Sequence, residues 1–558
     1  MKVRLRTTAG VLAVVSAATL VALGTFVGCH GRYGTSDVGA TSNDFLTTGR
    51  TLSFFTAIQV DPRSEDSAGP QFVVAADLDS DGLLDLVSAW NQSQPVQIHL
   101  QRRSATGAIS FETVTLAGNI PVVAVAGLAV ADFDQDGAPD IAVLIKESLI
   151  PGAGCLGSEQ PGSGGGDVLN GVILMYFGPS DPTQVNQALA WKDQEVNSSF
   201  LAGGGDSFGP PEESGYTSMA VGDMDGDGDL DIVAVWNSVS VCGSSGVLLF
   251  TNQGSVAVKD GTWAVEAIPD PFPACAPPTC SNKQDQECAT ASDCPPDPPG
   301  GRCQQVCQIK DVALGDIDRD GDLDIVVTFP AARSMNVRWY RNPALDVPDG
   351  CHLDDGSWLV GTVGQVEPRS GFTPSGGADI IKISDIDADG ILDVVVRSTG
   401  GKIIQWLKGP ECPTTPTTPA LSDPFRNIPW RVYTIAEFTE RTPEGLAVGD
   451  LNFDGTPEVI TSAAGGLLFL DSQTAPSVYD QWIENLIVDD EPPGQPGDAP
   501  PTTDPNVAPQ EVAGTTFINS ILVVDLDGDG ANDLVATFDR SGLSGLSNDA
   551  LVWFRNTR

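Results

Sequence analysis

Histidine is almost missing from this sequence. Only His30, His99 and His352 occur in 558 residues, and no Ser/His/Asp grouping or histidine-rich metal site can be assembled from them. Basic residues are scarce too: 29 Lys and Arg stand against 74 Asp and Glu, a net charge of −45. A protein that neutralises nucleic-acid phosphates needs Lys and Arg, so this balance argues against a nucleic-acid partner. It argues equally against electrostatic docking on anionic lipid. Long helices are not expected either, because 61 glycines and 41 prolines punctuate the chain and leave room mainly for short strands and turns.

What is present begins with an export signal. Met1-Lys2-Val3-Arg4-Leu5-Arg6 is basic, and residues 7–28 are uncharged and rich in Val, Ala and Leu. The run ends Phe26-Val27-Gly28-Cys29, which resembles a bacterial lipoprotein signal with Cys29 as the lipidated residue. An uncleaved membrane anchor is the alternative, the apolar run being long enough to span a bilayer. Residues 1–28 are thus read as a signal segment and 29–49 as a flexible tether of Gly, Ser, Thr and Asp. Both readings place the bulk of the chain outside the cytoplasm, at an outer membrane or cell surface or secreted. Membrane contact is expected only through the N-terminal anchor, and the protein is expected to be a monomer.

Cysteine usage agrees with export. Beyond Cys29 there are ten, an even number suited to disulfides in an oxidising compartment. Cys275, Cys280, Cys288, Cys294, Cys303 and Cys307 crowd one Pro-rich segment, 271–307, with no histidine near enough to favour zinc. Cys155 with Cys242, and Cys351 with Cys412, fall at equivalent places in successive repeats and are expected to staple neighbouring units.

The repeat is a nine-residue acidic stretch, Asp77-Leu78-Asp79-Ser80-Asp81-Gly82-Leu83-Leu84-Asp85, with copies starting at Asp132, Asp223, Asp316, Asp385, Asp450 and Asp525. These seven windows hold 29 of the 74 acidic residues, so much of the negative charge is locally organised. Around each copy lie four short β-branched or aromatic runs: one leading in (Phe72–Ala76), one leaving (Leu86–Trp90), a third (Val96–Leu100) and a fourth (Trp430–Ile435 in a later unit). Four antiparallel strands per unit and seven units predict an all-β, seven-bladed β-propeller over residues 50–558. Uneven spacing between copies suits a propeller, whose loops grow freely on its faces, better than a stacked solenoid. The Cys-rich insert and a Pro-rich loop at 491–510 are the main excursions. Because the chain opens on a fourth-type strand, 52–60, and ends on a third-type strand, 551–554, the first strand is expected to complete the last blade and close the ring.

The acidic stretch carries the chemistry. Calcium takes six to eight oxygen ligands in loose geometry. Carboxylates at positions 1, 3 and 5 can converge on one centre, Gly at position 6 permits the sharp turn, the carbonyl of position 7 points inward, and the acid at position 9 closes the shell. The candidate ligands are Asp77, Asp79, Asp81 and Asp85; Asp132, Asp134, Asp136 and Asp140; Asp223, Asp225, Asp227 and Asp231; Asp316, Asp318, Asp320 and Asp324; Asp385, Asp387, Asp389 and Asp393; Asp450, Asn452, Asp454 and Glu458; and Asp525, Asp527, Asp529 and Asp533. The copy with Asn452 has one charge fewer and is expected to be the weakest site. An EF-hand would need Glu at position 12, where the first four copies have Ser88, Val143, Ala234 and Val327. A plain hairpin-turn reading explains one Asp-Gly but not seven aligned carboxylate sets, which would repel one another unless neutralised.

The pattern resembles the FG-GAP/VCBS type of calcium-binding propeller repeat, also found in the head of integrin α subunits. That resemblance implies up to seven Ca²⁺ ions, one in the hairpin between the two innermost strands of each blade. It implies a structural role for the metal and a binding or adhesion module whose partner is a surface protein or glycan. Some related propellers are polysaccharide lyases, so a carbohydrate-active enzyme is the second reading, and a purely structural envelope protein is the third. The ten tryptophans recur at equivalent strand positions and are read as packing between blades, not as sugar platforms. No catalytic residue is nominated.

Overall fold

The computed structural model describes residues 55–61, 69–91, 95–116, 124–146, 171–196, 214–238, 245–270, 279–280, 283–287, 303–304, 309–330, 336–343, 358–364, 377–411, 430–438, 442–463, 466–472, 482–488, 517–539 and 550–557. The export signal, Cys29, the tether, the Pro-rich loop and Cys155, Cys242, Cys351 and Cys412 lie outside them.

Seven four-stranded antiparallel sheets form a propeller. In chain order the first six are Pro70–Ala76, Asp85–Trp90, Val96–Arg103 and Ile109–Thr115; then Ala124–Ala131, Asp140–Lys146, Val172–Phe177 and Lys192–Glu195; then Ser214–Gly222, Asp231–Ser238, Ser245–Thr251 and Ala264–Ile268. Blade four is Val312–Gly315, Asp324–Thr328, Val337–Arg341 and Leu359–Gly364, and blade five Ile380–Ser384, Asp393–Ser398, Ile403–Lys408 and Arg431–Glu437. Blade six is Pro443–Gly449, Glu458–Ala463, Gly466–Ser472 and Trp482–Val488. The seventh joins Phe517–Val524, Asp533–Asp539 and Ala550–Asn556 to Phe55–Gln59 from the start of the described chain.

That last pairing is the expected ring closure. Phe55 stands opposite Asn556 and Gln59 opposite Val552, and Val60 N–H donates to Leu551 O at 3.0 Å. First strands pack on first strands all the way round, blade seven against blade one included. They approach closely: a Cβ on Gly222 or Gly449 would come within 2.5 Å of Leu323 Cδ1 or Val523 Cγ1 of the next blade. Between blades three and four, Thr279–Cys280, Lys283–Glu287 and Cys303–Gln304 form a small separate sheet that sets Cys280 opposite Cys303.

Sequence character follows strand position. Second strands are buried along almost their whole length, and at every residue in Asp85–Trp90, Asp393–Ser398 and Glu458–Ala463; only Lys146 and Asn237, near the ends of theirs, are half-buried among the described residues. Both faces are covered by neighbouring blades, so these strands read as near-continuous apolar runs and do not alternate. Outer strands alternate between half-buried and exposed, as in Ile109–Glu112 and Ala264–Ala267, because one edge meets water. The core is accordingly seven slabs, one at each blade junction, among the described residues. Eight tryptophans are buried, and Trp358 and Trp482 pack partly buried against the slabs. The packing reading of the tryptophans therefore holds.

Candidate metal centres

Each acidic stretch is the loop between first and second strands, so all seven lie at one end of the ring. The local fold is dictated within nine residues. In blade one Ser80 and Gly82 have φ of 58° and 85°. This winding turns two N–H groups onto the first carboxylate: Asp81 N donates to Asp77 Oδ1 (3.1 Å) and Gly82 N to Oδ2 (3.0 Å). The same pair of bonds recurs at Asp132, Asp316, Asp385 and Asp525. At Asp223 and Asp450 the first bond comes from position 4 instead (Gly226 and Phe453). Position 4 is left-handed in every loop, and in five of them it is not glycine, a conformation that costs of order 1 kcal/mol or more per residue.

The ninth-position acid does more than close a shell. Asp85 is fully buried; its Oδ2 accepts from Leu78 N at 2.9 Å and its Oδ1 from Gln101 N at 2.7 Å. It thereby fastens its own loop to the third strand. Asp140, Asp231, Asp324, Asp393 and Asp533 repeat both bonds, with Gly178, Asn252, Asn342, Gly409 and Asn556 as the distant donors. In blade six Glu458 accepts from Leu451 N, and its other oxygen accepts from the Asn452 amide.

Burial pushes these carboxyls up. It outweighs the backbone N–H bonds, and neighbouring carboxylates add to it, leaving Asp85, Asp231 and Asp393 at about 7, Asp140 and Glu458 at about 8 and Asp533 at about 6, with Asp324 well above the usual range. A cation among them would reverse that direction.

The arrangement fits a hard divalent cation. Ligand oxygens of Asp77, Asp79 and Asp85 lie within 4.8 Å of one another, as do sets from Asp132/Asp134/Asp136, Asp223/Asp225/Asp231, Asp316/Asp318/Asp320 and Asp385/Asp387/Asp393. Oxygens on a shell of about 2.4 Å radius can be no farther apart than about 4.8 Å. Asp318 and Asp387 side chains are almost wholly buried, yet Oδ1 of each has no hydrogen-bond partner; Asp79 Oδ1 is likewise unpartnered. A buried carboxylate oxygen left without a donor is costly, and a bound cation would satisfy it.

Two features were not anticipated from the sequence. The first is a basic group spanning the carboxylates of positions 3 and 5. Arg102 reaches Asp79 (2.6 Å) and Asp81 (3.6 Å). Lys259 reaches Asp134 (2.5 Å) and Asp136 (3.3 Å), and Arg341 reaches Asp318 (2.6 Å) and Asp320 (3.6 Å). Lys408 pairs with Asp387 and Asp389, and Arg555 with Asp527 (2.5 Å) and Asp529 (3.6 Å). A signal was available for three of these: Trp339-Tyr340-Arg341, Trp406-Leu407-Lys408 and Trp553-Phe554-Arg555 are repeated triplets ending the third strand. Lys259 gives none, because it lies on a short helix of blade three, Ser255–Lys259, and serves the loop of blade two.

The second is a set of bridges between loops. Side-chain amides of Gln101, Asn252, Asn342 and Asn556 each donate to the position-8 carbonyl of their own loop and to the position-2 carbonyl of the preceding blade's loop: Leu526, Phe133, Met224 and Leu451. Blades two and five have Gly178 and Gly409 at that place, and no such amide.

Compared with known proteins, residues 77–143 match the FG-GAP-like repeat family model. No curated protein matches the chain. Solved structures similar to it include BBS1N in complex with ARL6DN, soaked with lead (11% identity, 90% of this chain and 97% of that one, TM-score 0.41). Two others are the Dos1 propeller (9%, 92% and 98%, 0.39) and the NanB sialidase from Streptococcus pneumoniae (9%, 91% and 71%, 0.35).

Proposed function

We propose that this seven-bladed propeller, in which residues 77–143, from the first acidic loop to the start of blade two's second strand, match an FG-GAP-like repeat, is an exported, calcium-stabilised binding or adhesion module for a surface protein or glycan. The observation that carries the metal is the convergence of carboxylates in the interstrand loops, with buried oxygens that have no donor. In each loop the acids at positions 1, 3, 5 and 9 would hold Ca²⁺, up to seven ions in all, with Asn452 and Glu458 standing in at blade six. The bound ion supplies charge neutralisation. The chain's own residues do the rest: the first-position carboxylate sets the turn through its two N–H bonds, and in six blades the ninth fixes the loop to the third strand. Calcium affinity thereby becomes stability of the ring. Cys29 would carry the lipid that holds the monomer at the envelope.

The test has two arms. Thermal melts with calcium and with excess EDTA are expected to differ by many degrees, since extracellular calcium modules bind with Kd of about 10⁻⁴–10⁻³ M and millimolar calcium then adds stability. Identical melts would refute the metal. Calcium-dependent capture of glycans or surface proteins by the mature chain, with EDTA as control, tests the binding role.

A further inference from the structure

The carboxylates of positions 3 and 5, on which any cation in these loops would draw, are already bridged in five blades by a side chain of the protein. Three of the bridging groups occupy one register position. Arg341 follows Tyr340, which pairs with Ile325; Lys408 follows Leu407, which pairs with Val394; Arg555 follows Phe554, which pairs with Leu534. In each case the paired residue comes directly after the ninth-position acid. Blades one and two have apolar residues at that position, Leu100 and Phe177, and receive a cation from elsewhere, Arg102 and Lys259. Blade three has Thr251 there and a fifth acid in its loop, Asp229; blade six has Asp471, whose charge bears on Glu458. Asp223, Asp225, Asp227, Asp450 and Asp454 form no ion pair among the described residues.

We propose that these five basic side chains are built-in counter-cations that compete with the divalent ion, so that the loops fill in a fixed order. Blades three and six fill first, then one, two and seven, and finally five and four. The inference rests on the calcium reading above and adds to it a ranking that the acidic motif does not contain.

The order follows from what each basic group must do to give way. Arg102, Lys259 and Arg555 are 36–45% exposed and can turn their charge into water at little cost. Lys408 is 17% exposed and Arg341 only 4%. Displacing Arg341 would leave a buried guanidinium beside a bound cation, the costliest exchange in the set. Blade four is therefore last although its loop holds five acids, and blade six, which the motif alone ranks weakest, moves up because the register position where others place a Lys or Arg holds none.

Native mass spectrometry of the full chain at limiting calcium reads the order directly. The parent is expected to take up about two ions well before the rest, each decade of Kd corresponding to about 1.4 kcal/mol. Lys259→Met, at a half-exposed helix position, is expected to add a third early ion by tightening blade two on the order of tenfold. Thr251→Lys, which places an ammonium at the shared register position of blade three, is expected to remove one. Seven equivalent sites in the parent, or an early count unchanged in either variant, would overturn the inference while leaving calcium binding intact. A parent that binds no calcium would overturn the calcium reading itself.

Discussion

Asn342→Ala isolates the bridge between neighbouring loops. The side chain is buried, and its Nδ2 donates at 2.6 Å to Met224 O of blade three and at 3.0 Å to Leu323 O of its own loop. Alanine keeps the backbone N–H that holds Asp324 at 2.8 Å, so the clasp survives while the bridge is lost. Each carbonyl deprived of its donor costs about 1–3 kcal/mol when water cannot replace it. With one site fully buried and the other partly so, the expected loss is about 2–4 kcal/mol. Asn342→Asp should cost more, because an acceptor would then face two carbonyls. Urea unfolding followed by tryptophan fluorescence, at one fixed calcium concentration, measures both; partly buried Trp358 reports the slab between blades three and four, and buried Trp339 and Trp430 the slab between four and five. A loss under about 0.5 kcal/mol for Asn342→Ala, the range of an ordinary surface change, would refute the claim that the amide holds the junction.

Deleting residues 55–60 should open the ring. It removes a whole strand of blade seven together with Val60, which is buried in the slab between blades seven and one, whereas deleting 30–49 should leave the melt unchanged; equal effects would refute the closure. His99 supplies a pH test. Trp90 Nε1–H donates to Ser88 Oγ, which pairs with His99 Nε2 (2.8 Å), while His99 Nδ1 pairs with Thr113 Oγ1 (2.9 Å), so hydroxyls partner both ring nitrogens of a buried imidazole. Burial holds His99 down at about 3. The unfolded chain takes up this proton near pH 6.5 and the folded one does not, so stability from this residue is full above about 6.5. It falls by about 1.4 kcal/mol per pH unit below that, until pH nears 3. His99→Gln should flatten the stability–pH slope between pH 6 and 5 by one proton, and an unchanged slope would refute the neutral assignment.

The parts that were legible in the sequence are local. Asp77, Asp81 and Gly82 find one another within five residues, and Asp85 meets Leu78 across seven. The turn follows from the order of a few residue types, so seven copies count seven blades. Strand character was legible as well, because burial on both faces demands unbroken apolar runs and an outer edge does not. The ninth-position acid was visible as a candidate ligand. Its second hydrogen bond, to a third strand 16 to 38 residues away, was not.

What only the tertiary structure decided is which distant group meets each loop. Gln101 reaches Leu526 across 425 residues, and Lys259 reaches Asp136 across 123. The sequence by itself determined the number of blades, the loop conformation and the oxygen-rich donor sets, because those depend on spacing within a few residues. The ring geometry decided where a loop is bridged to its neighbour and where an Arg or Lys spans two of its carboxylates. Such pairings depend on the angle and register between blades, which close-packed slabs fix and no nine-residue window encodes.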